Sequence, residues 1–108
     1  MRIEYRVERW SEVHAPNAAM LRFTLEQEGY RVFQWCDQPE SIYVQHKHAE
    51  DQSHWIVSGS LELTIEHYGK VVLEAGDRDF MAAETYHSAR VIGDEPVVYL
   101  VGAKGAGN

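Results

Sequence analysis

The strongest constraint on the fold is a series of short segments in which apolar and polar residues alternate. In SLELTIEH, Leu61, Leu63 and Ile65 alternate with polar residues. A period of two predicts a strand with one buried and one solvated face. RIEYRVERW, residues 2–10, alternates in the same way, and further strand-like segments between turn residues cover 30–36, 41–48, 52–59 and 71–77 and both sides of the turn GDEP. Short strands at such close intervals predict an all-β domain, built as a closed barrel or as two packed sheets.

One segment departs from the strand pattern. PNAAMLRFTLEQEG, residues 16–29, places Ala18, Leu21 and Leu25 on one face of a helix. Asn17 is a suitable N-cap, and Gly29 can take the left-handed conformation that ends a helix. We therefore expect one short helix near residues 17–28.

The size and composition of the chain suit a single domain over residues 1–108. The 108 residues are 44% hydrophobic and 25% charged, values that are ordinary for a globular protein with a core. The last five residues, KGAGN at 104–108, predict a disordered tail.

Charge and cysteine usage bear on partners and location. Acidic residues outnumber basic ones 17 to 10, giving a formal charge of −7, which argues against nucleic acid or an anionic membrane as the main partner. No apolar run approaches the roughly 20 residues of a membrane helix, and the start, MRIEYRVERW, has no apolar segment typical of a signal peptide. Cys36 is the single cysteine, so we expect a packed thiol and a reducing, cytoplasmic location.

Three of the six histidines lie within the stretch QHKHAEDQSHW, residues 45–55. His46 and His48 are two apart, so on a continuous strand their side chains share a face about 7 Å apart, from which two imidazoles can converge on one ion. Gln52 and His54 are also two apart and would share a face of the next strand. His87, in ETYHSARV, is the candidate for a distant partner. Taken singly these signals are weak, because a lone His54 is more often a packed histidine and a lone Gln52 a solvated side chain.

The order and spacing of these residues resemble the cupin superfamily over roughly residues 41–103. The first cupin motif, with HxH, an acidic residue and then a glycine, corresponds to HKHAEDQSHWIVSG, with Gln52 at the acidic position and Gly59 at the glycine. The second motif corresponds to GDRDFMAAETYH, from Gly76 to His87. The resemblance implies a double-stranded β-helix, or jelly-roll barrel, preceded here by one short helix.

The resemblance also implies a metal site formed by His46, His48, Gln52 and His87. The chain departs from the family pattern in having glutamine in place of the usual glutamate, and Ala82 and Glu84 in place of a proline and a glycine. Small cupins linked to the breakdown of unsaturated uronic acids from pectin and alginate are similar to this sequence at the glutamine. His54 is open to three interpretations: a ligand in place of Gln52, a group that orients the ligands, or a catalytic acid/base in the cavity.

A nitrogen-rich ligand set favours one divalent transition metal (Zn, Ni, Fe, Mn or Cu) over Mg or Ca. The hypothesis that follows is a metal-dependent enzyme, of the isomerase, tautomerase or dioxygenase type, acting on a small organic acid or a sugar-derived carbonyl compound. The alternatives are a non-catalytic sensor that binds a small ligand, and a barrel with a vestigial site. RIEYRVERW offers a long strand edge, and edges are usually covered; together with the cupin resemblance this predicts a homodimer.

Overall fold

The computed structural model describes residues 4–106, which contain nine strands and one helix. The elements are β1 (Arg6–Glu8), α1 (Ala18–Gln27), β2 (Arg31–Asp37), β3 (Ile42–His46), β4 (Glu50–Ser58), β5 (Ser60–Ile65), β6 (Gly69–Leu73), β7 (Arg78–Phe80), β8 (His87–Ile92) and β9 (Val97–Gly105). This confirms the predicted all-β class with one short helix. Across the described range, the ten-residue α1 leaves no helical segment of the length and apolarity that a membrane crossing requires.

The strands form two antiparallel sheets, which here are called sheet A and sheet B. Sheet A has the order β1-β7-β4-β9-β2, and sheet B has the order β3-β8-β5-β6. Consecutive strands therefore alternate between the sheets in places, as in a double-stranded β-helix. β2 and β3 lie at the edges of their sheets, a placement that leaves one side of the barrel open.

The core lies between the two sheets and follows from the alternation in the sequence. Leu61, Leu63 and Ile65 of β5 are at most 2% exposed and pack against apolar residues from both sheets. A second cluster covers the outer face of sheet A, where Leu21 and Leu25 of α1 contact residues that include Leu100.

The ends of α1 are those that the sequence predicts. The Asn17 side chain accepts a hydrogen bond of 3.1 Å from the backbone N–H of Met20, which satisfies one of the free N–H groups of the first turn. Gly29 follows with φ +95°, in the left-handed region.

The structure corrects four expectations. The N-terminal strand is far shorter than residues 2–10, since β1 spans Arg6–Glu8 and residues 1–3 lie outside the described part. β7 was not predicted, because its buried residues Arg78 and Asp79 do not show apolar alternation. The disordered-tail prediction is wrong for residues 104 and 105, which belong to β9; residues 107–108 lie outside the described range. Cys36 is exposed rather than packed, on the edge strand β2.

The tail is ordered because its first residue has partners. The Lys104 ammonium donates a hydrogen bond of 3.1 Å to the carbonyl of Glu28 and lies 4.2 Å from the centre of the Tyr30 ring. Lys104 also pairs with Asp51 of β4 in the sheet register.

Candidate metal centre

Three histidines converge at the open side of the barrel. One ring nitrogen from each of His46, His48 and His87 lies within 4.8 Å of the others. The His46 ring centre is 4.7 Å from that of His48 and 4.3 Å from that of His87. Because each nitrogen would sit about 2.1 Å from a bound transition metal, three nitrogens this close together could hold one ion.

A β-bulge in β3 turns His46 towards the cavity. Tyr43 pairs with Ala89, and His46 pairs with His87, so three steps along β3 match only two along β8. Without the extra residue, Tyr43 and His46 would point to opposite faces, because side chains alternate along a strand. The bulge therefore places both side chains on the inner face of sheet B.

His48 lies in the connection between β3 and β4, and its backbone is tied to the loop that precedes His87. The backbone N–H of Glu84 donates a hydrogen bond of 2.7 Å to the carbonyl of His48, and the side chains of Lys47 and Glu84 form an ion pair at 3.0 Å. Glu84 has φ +66°, in the left-handed region, at the position where the cupin pattern has glycine. The chain thus keeps the backbone turn of the motif without its usual residue, and contacts from the 47–48 segment stabilise it.

The hydrogen bonds of two of the rings fix which nitrogen can bind a metal. Nδ1 of His46 lies 2.6 Å from the carbonyl oxygen of Val44, and Nδ1 of His87 lies 2.9 Å from that of Thr85. A carbonyl oxygen only accepts, so each Nδ1 carries the proton and donates. Each Nε2 then keeps its lone pair, which is the form that binds metals.

Burial keeps two of these histidines in the neutral form. It is the largest cause that lowers the pKa of His87 to about 4, and the neighbouring histidines lower it further. Burial also lowers the pKa of His48, again with a contribution from neighbouring histidines. Neutral imidazoles close together would repel one another once protonated, so the cluster favours a state in which its lone pairs are free.

Gln52 carries a buried polar atom without a partner. Its backbone N–H and C=O both pair with Met81, at 2.9 and 2.8 Å. Its side chain lines the same cavity as the three histidines, and within residues 4–106 Oε1 is the one buried side-chain polar atom that has no hydrogen bond. A buried unpaired oxygen costs about 1–3 kcal/mol, so its place beside three imidazoles fits an added cation.

His54 lies on the same inner face but is held by different groups. Its Nδ1 lies 3.0 Å from Oδ1 of Asp79, a residue that is fully buried, and the backbone N–H of His54 donates to the same oxygen at 2.7 Å. The Tyr5 hydroxyl donates to Oδ2 of Asp79 at 2.9 Å. The His54 ring centre is 6.2 Å from that of His87. His54 is therefore held by Asp79, outside the group of three converging ring nitrogens.

The electrostatics of His54 also differ from those of the cluster. Burial alone would lower the pKa of His54, but the Asp79 carboxylate outweighs it, and the pKa is raised. Asp79 and Tyr5 were not predicted as partners of this ring. The only signal for Asp79 was a second acidic residue in GDRDF, which a surface turn would explain equally well.

All five predicted residues line one cavity of about 360 Å³. The three histidines lie together at one end of the cavity, and Gln52 and His54 lie on β4 of sheet A. Four residues of β2 and β3 that were not predicted as site residues also line the cavity: Arg31, Phe33, Trp35 and Tyr43. His14 and His67, in contrast, are exposed and lie away from the cavity.

Two antiparallel sheets around a histidine-lined cavity are the arrangement expected of the cupin fold, and a family model matches the sequence. The model of the cupin domain matches residues 33–102. The chain belongs to the cupin family. This match covers both motifs and the strands between them, and it confirms the resemblance seen in the sequence. Among curated proteins, no match is found.

Solved structures with this fold include enzymes. A chain from crystal structures of the DMSP lyases RdDddP and RnDddQII is 26% identical, with a TM-score of 0.67, and the match covers 74% of this cupin and 40% of that chain. DMSP lyase DddQ from Ruegeria pomeroyi is 24% identical over 70% of this chain and 38% of its own, with a TM-score of 0.65. KdgF from Halomonas sp. is 25% identical over 68% of this chain and 70% of its own, with a TM-score of 0.54. This cupin thus spans about two fifths of the length of the lyases that it matches.

Proposed function

We propose that this cupin is a metal-dependent enzyme that moves a proton on a small organic acid or carbonyl compound, with one divalent transition metal held by His46, His48, His87 and Gln52. The convergence of three imidazole nitrogens within 4.8 Å, on the wall of a cavity of about 360 Å³, carries the proposal. The unpaired Oε1 of Gln52 supports a fourth ligand. A bound ion would supply Lewis acidity that stabilises negative charge on a ligand oxygen.

His54 is the proposed proton-transfer group. Asp79 holds Nδ1 at 3.0 Å, and no hydrogen bond from residues 4–106 occupies Nε2 on a ring that lines the cavity. Asp79 also favours the protonated imidazole, so the ring can take a proton at Nε2 from a bound ligand and return it. Tyr5 and Asp79 act as positioning residues, because they contact the ring or its partner and do not line the cavity.

A proton-transfer reaction of the isomerase or tautomerase type needs only the groups that line the cavity. A dioxygenase would in addition need a redox-active metal such as Fe. The enzymatic proposal gains support from structural neighbours that are themselves enzymes, among them the DMSP lyases. A non-catalytic sensor would share the metal site but would not depend on His54 for any reaction.

The test combines metal analysis with a proton-transfer assay. Elemental analysis of the purified protein should give about one transition metal per chain, and His46→Ala should lose most of it. The same His46→Ala variant and a His54→Ala variant are then assayed for ketonisation of enol-phenylpyruvate. We expect His54→Ala to keep the metal and lose the rate. A wild-type protein without metal would refute the proposal, and equal rates in wild type and His54→Ala would favour the sensor.

We also propose a homodimer, although β1 is too short to supply the edge that the sequence suggested. β3 is an edge strand of sheet B, and its Ile42 and Val44 side chains are 70% and 78% exposed. An exposed apolar edge strand is a surface with which a second chain can pair. The molar mass from light scattering should be that of a dimer, and Val44→Glu should shift it to that of a monomer.

We also propose a cytoplasmic location, and the state of the single thiol supports it. Cys36 is free and exposed, a state that persists in a reducing compartment. A membrane-impermeant maleimide should label Cys36 in lysed cells and not in intact ones.

A further inference from the structure

The inner face of the edge strand β2 presents two aromatic rings to the cavity. Phe33 pairs with Val101, and Trp35 pairs with Tyr99. Residues that pair directly across antiparallel strands point to the same face, so both rings face inwards with residues that line the cavity. Because β2 has no further strand beside it in sheet A, Phe33 stays 48% exposed and Trp35 50% exposed. Two large apolar side chains that line a cavity and remain half uncovered are a surface that a ligand can bury.

The opposite wall of the cavity is apolar as well. It consists of Leu61, Leu63 and Ala89, which project from the inner face of sheet B. A ligand that enters between the sheets therefore has aromatic rings on one side and aliphatic side chains on the other. This arrangement suits a flat body, which can contact both walls at once.

Away from the histidine cluster, Gln52 and His54, the polar side chains around the aromatic rings are hydrogen-bonded to one another. The hydroxyls of Tyr43 and Tyr99 both donate to the Asp37 carboxylate, at 2.8 and 2.9 Å. The Arg31 guanidinium donates two hydrogen bonds to Glu50, at 2.7 and 2.8 Å. Between the aromatic side chains of β2 and the aliphatic side chains of sheet B, the hydroxyls of a ligand body would meet mainly apolar atoms, and unpaired buried hydroxyls weaken binding.

We propose that the cavity selects a flat, largely apolar ligand, an aromatic ring or a conjugated enol, that carries one oxygen-chelating head, and that it rejects polyhydroxylated sugar acids. The head would lie at the histidine cluster, and the body would lie against Phe33 and Trp35. A volume of about 360 Å³ is at the small end of the range for ligand sites, which limits the body to about one ring. This proposal rests on the proposed function, because the metal supplies the anchor for the head.

The test compares two ligands that share a metal-binding head and differ only in their body. Acetohydroxamic acid carries a methyl group, and benzohydroxamic acid carries a phenyl ring. Titration calorimetry of the metal-loaded full chain should show benzohydroxamic acid binding at least about 10-fold more tightly, a difference of about 1.4 kcal/mol. D-Glucuronic acid should not compete with benzohydroxamic acid at concentrations at which acetohydroxamic acid does.

Variants assign the preference to the aromatic wall. Trp35→Ala and Phe33→Ala should each reduce the phenyl preference to about 3-fold or less and leave the affinity for acetohydroxamic acid unchanged. Phe23→Ala is the matched control, because Phe23 is an aromatic residue of α1 that is 58% exposed and does not line the cavity. It should keep the full preference.

The outcomes separate this proposal from the function on which it rests. Elemental analysis before each titration shows whether metal is bound, and a metal-free protein would overturn both proposals. If metal is bound and the two hydroxamic acids bind equally, or the preference survives in Trp35→Ala and Phe33→Ala, the aromatic wall does not select the ligand. Effective competition by D-glucuronic acid would also overturn it.

Discussion

Gly59 and Gly93 form a matched pair that tests how the barrel closes at the turn between β4 and β5. Both have nearly the same positive φ, +82° at Gly59 and +83° at Gly93. A Cβ at Gly59 would overlap the carbonyl oxygen of Pro96 and lie 2.8 Å from Cα of Val97, whereas a Cβ at Gly93 would meet nothing within 4 Å. The two positions thus share the backbone strain and differ in the space around them.

The expected magnitudes follow from these two terms. A left-handed conformation costs a residue with a Cβ about 1–2 kcal/mol, and the stiffer unfolded chain returns about 0.4–1 kcal/mol of it. Gly93→Ala should therefore lose about 1 kcal/mol of unfolding free energy. Gly59→Ala adds an overlap with backbone atoms at the start of β9, which cannot rotate away, and overpacking of this kind costs about 1–3 kcal/mol more.

Urea denaturation followed by circular dichroism measures the difference directly. We expect Gly59→Ala to be less stable than Gly93→Ala by about 2 kcal/mol, with equal slopes, so that its midpoint lies about 1–2 M lower. The comparison within the pair cancels the cost of the positive φ, so the difference in stability reports the overlap with residues 96–97. Equal stabilities within about 0.5 kcal/mol would show that the turn does not pack against residues 96–97 as described.

Three further predictions concern the site and the assembly. His87→Ala should lose most of the bound metal by elemental analysis. His67→Ala is the control and should keep all of it, because the His67 side chain is 88% exposed. Full metal content in His87→Ala would show that the second motif does not contribute a ligand to the site. Gln52→Ala should bind the metal several-fold more weakly because one oxygen ligand is lost, whereas His54→Ala should keep the metal; the reverse result would exchange their roles. Light scattering at micromolar concentration should give the mass of a dimer, and the mass of a single chain would count against the covered β3 edge.

The sequence predicted those parts of the fold that depend on local patterns. The alternation in SLELTIEH corresponds to β5, whose apolar residues fill the core. Asn17 and Gly29 bound α1 as their backbone preferences require. The three histidines that the motifs point to are brought together, because the spacing of the two motifs reflects the pairing of β3 with β8.

The remaining features depend on long-range register, which no local pattern contains. β7 looks polar because Arg78 and Asp79 are buried with partners from distant parts of the chain: Arg78 donates to Glu28, and Asp79 accepts from Tyr5. Phe33 and Trp35 could be predicted to lie on a strand, but their facing the cavity follows only from the pairing of β2 with β9. The bulge in β3 was equally hidden, since one extra residue changes the face of His46 without changing its surroundings in the sequence.

Gln52 and His54 illustrate where the structure adds to an argument that the sequence left open. Both lie on the inner face of β4, opposite Ala103 and Val101, so the parity of the strand does not distinguish them. Their hydrogen bonds and their positions relative to the histidine cluster do. His54 is committed through Nδ1 to a buried carboxylate, which orients the ring and raises its pKa, while Oε1 of Gln52 is buried and has no partner within the described residues. Nε2 of His54 is also free of hydrogen bonds from residues 4–106, as it is in His46 and His87, but the His54 ring centre lies 6.2 Å from that of His87, and its nitrogens are not among the ring nitrogens that lie within 4.8 Å of one another. The unequal anchoring of two neighbours on one strand face therefore supports the assignment of Gln52 to the metal and of His54 to the proton.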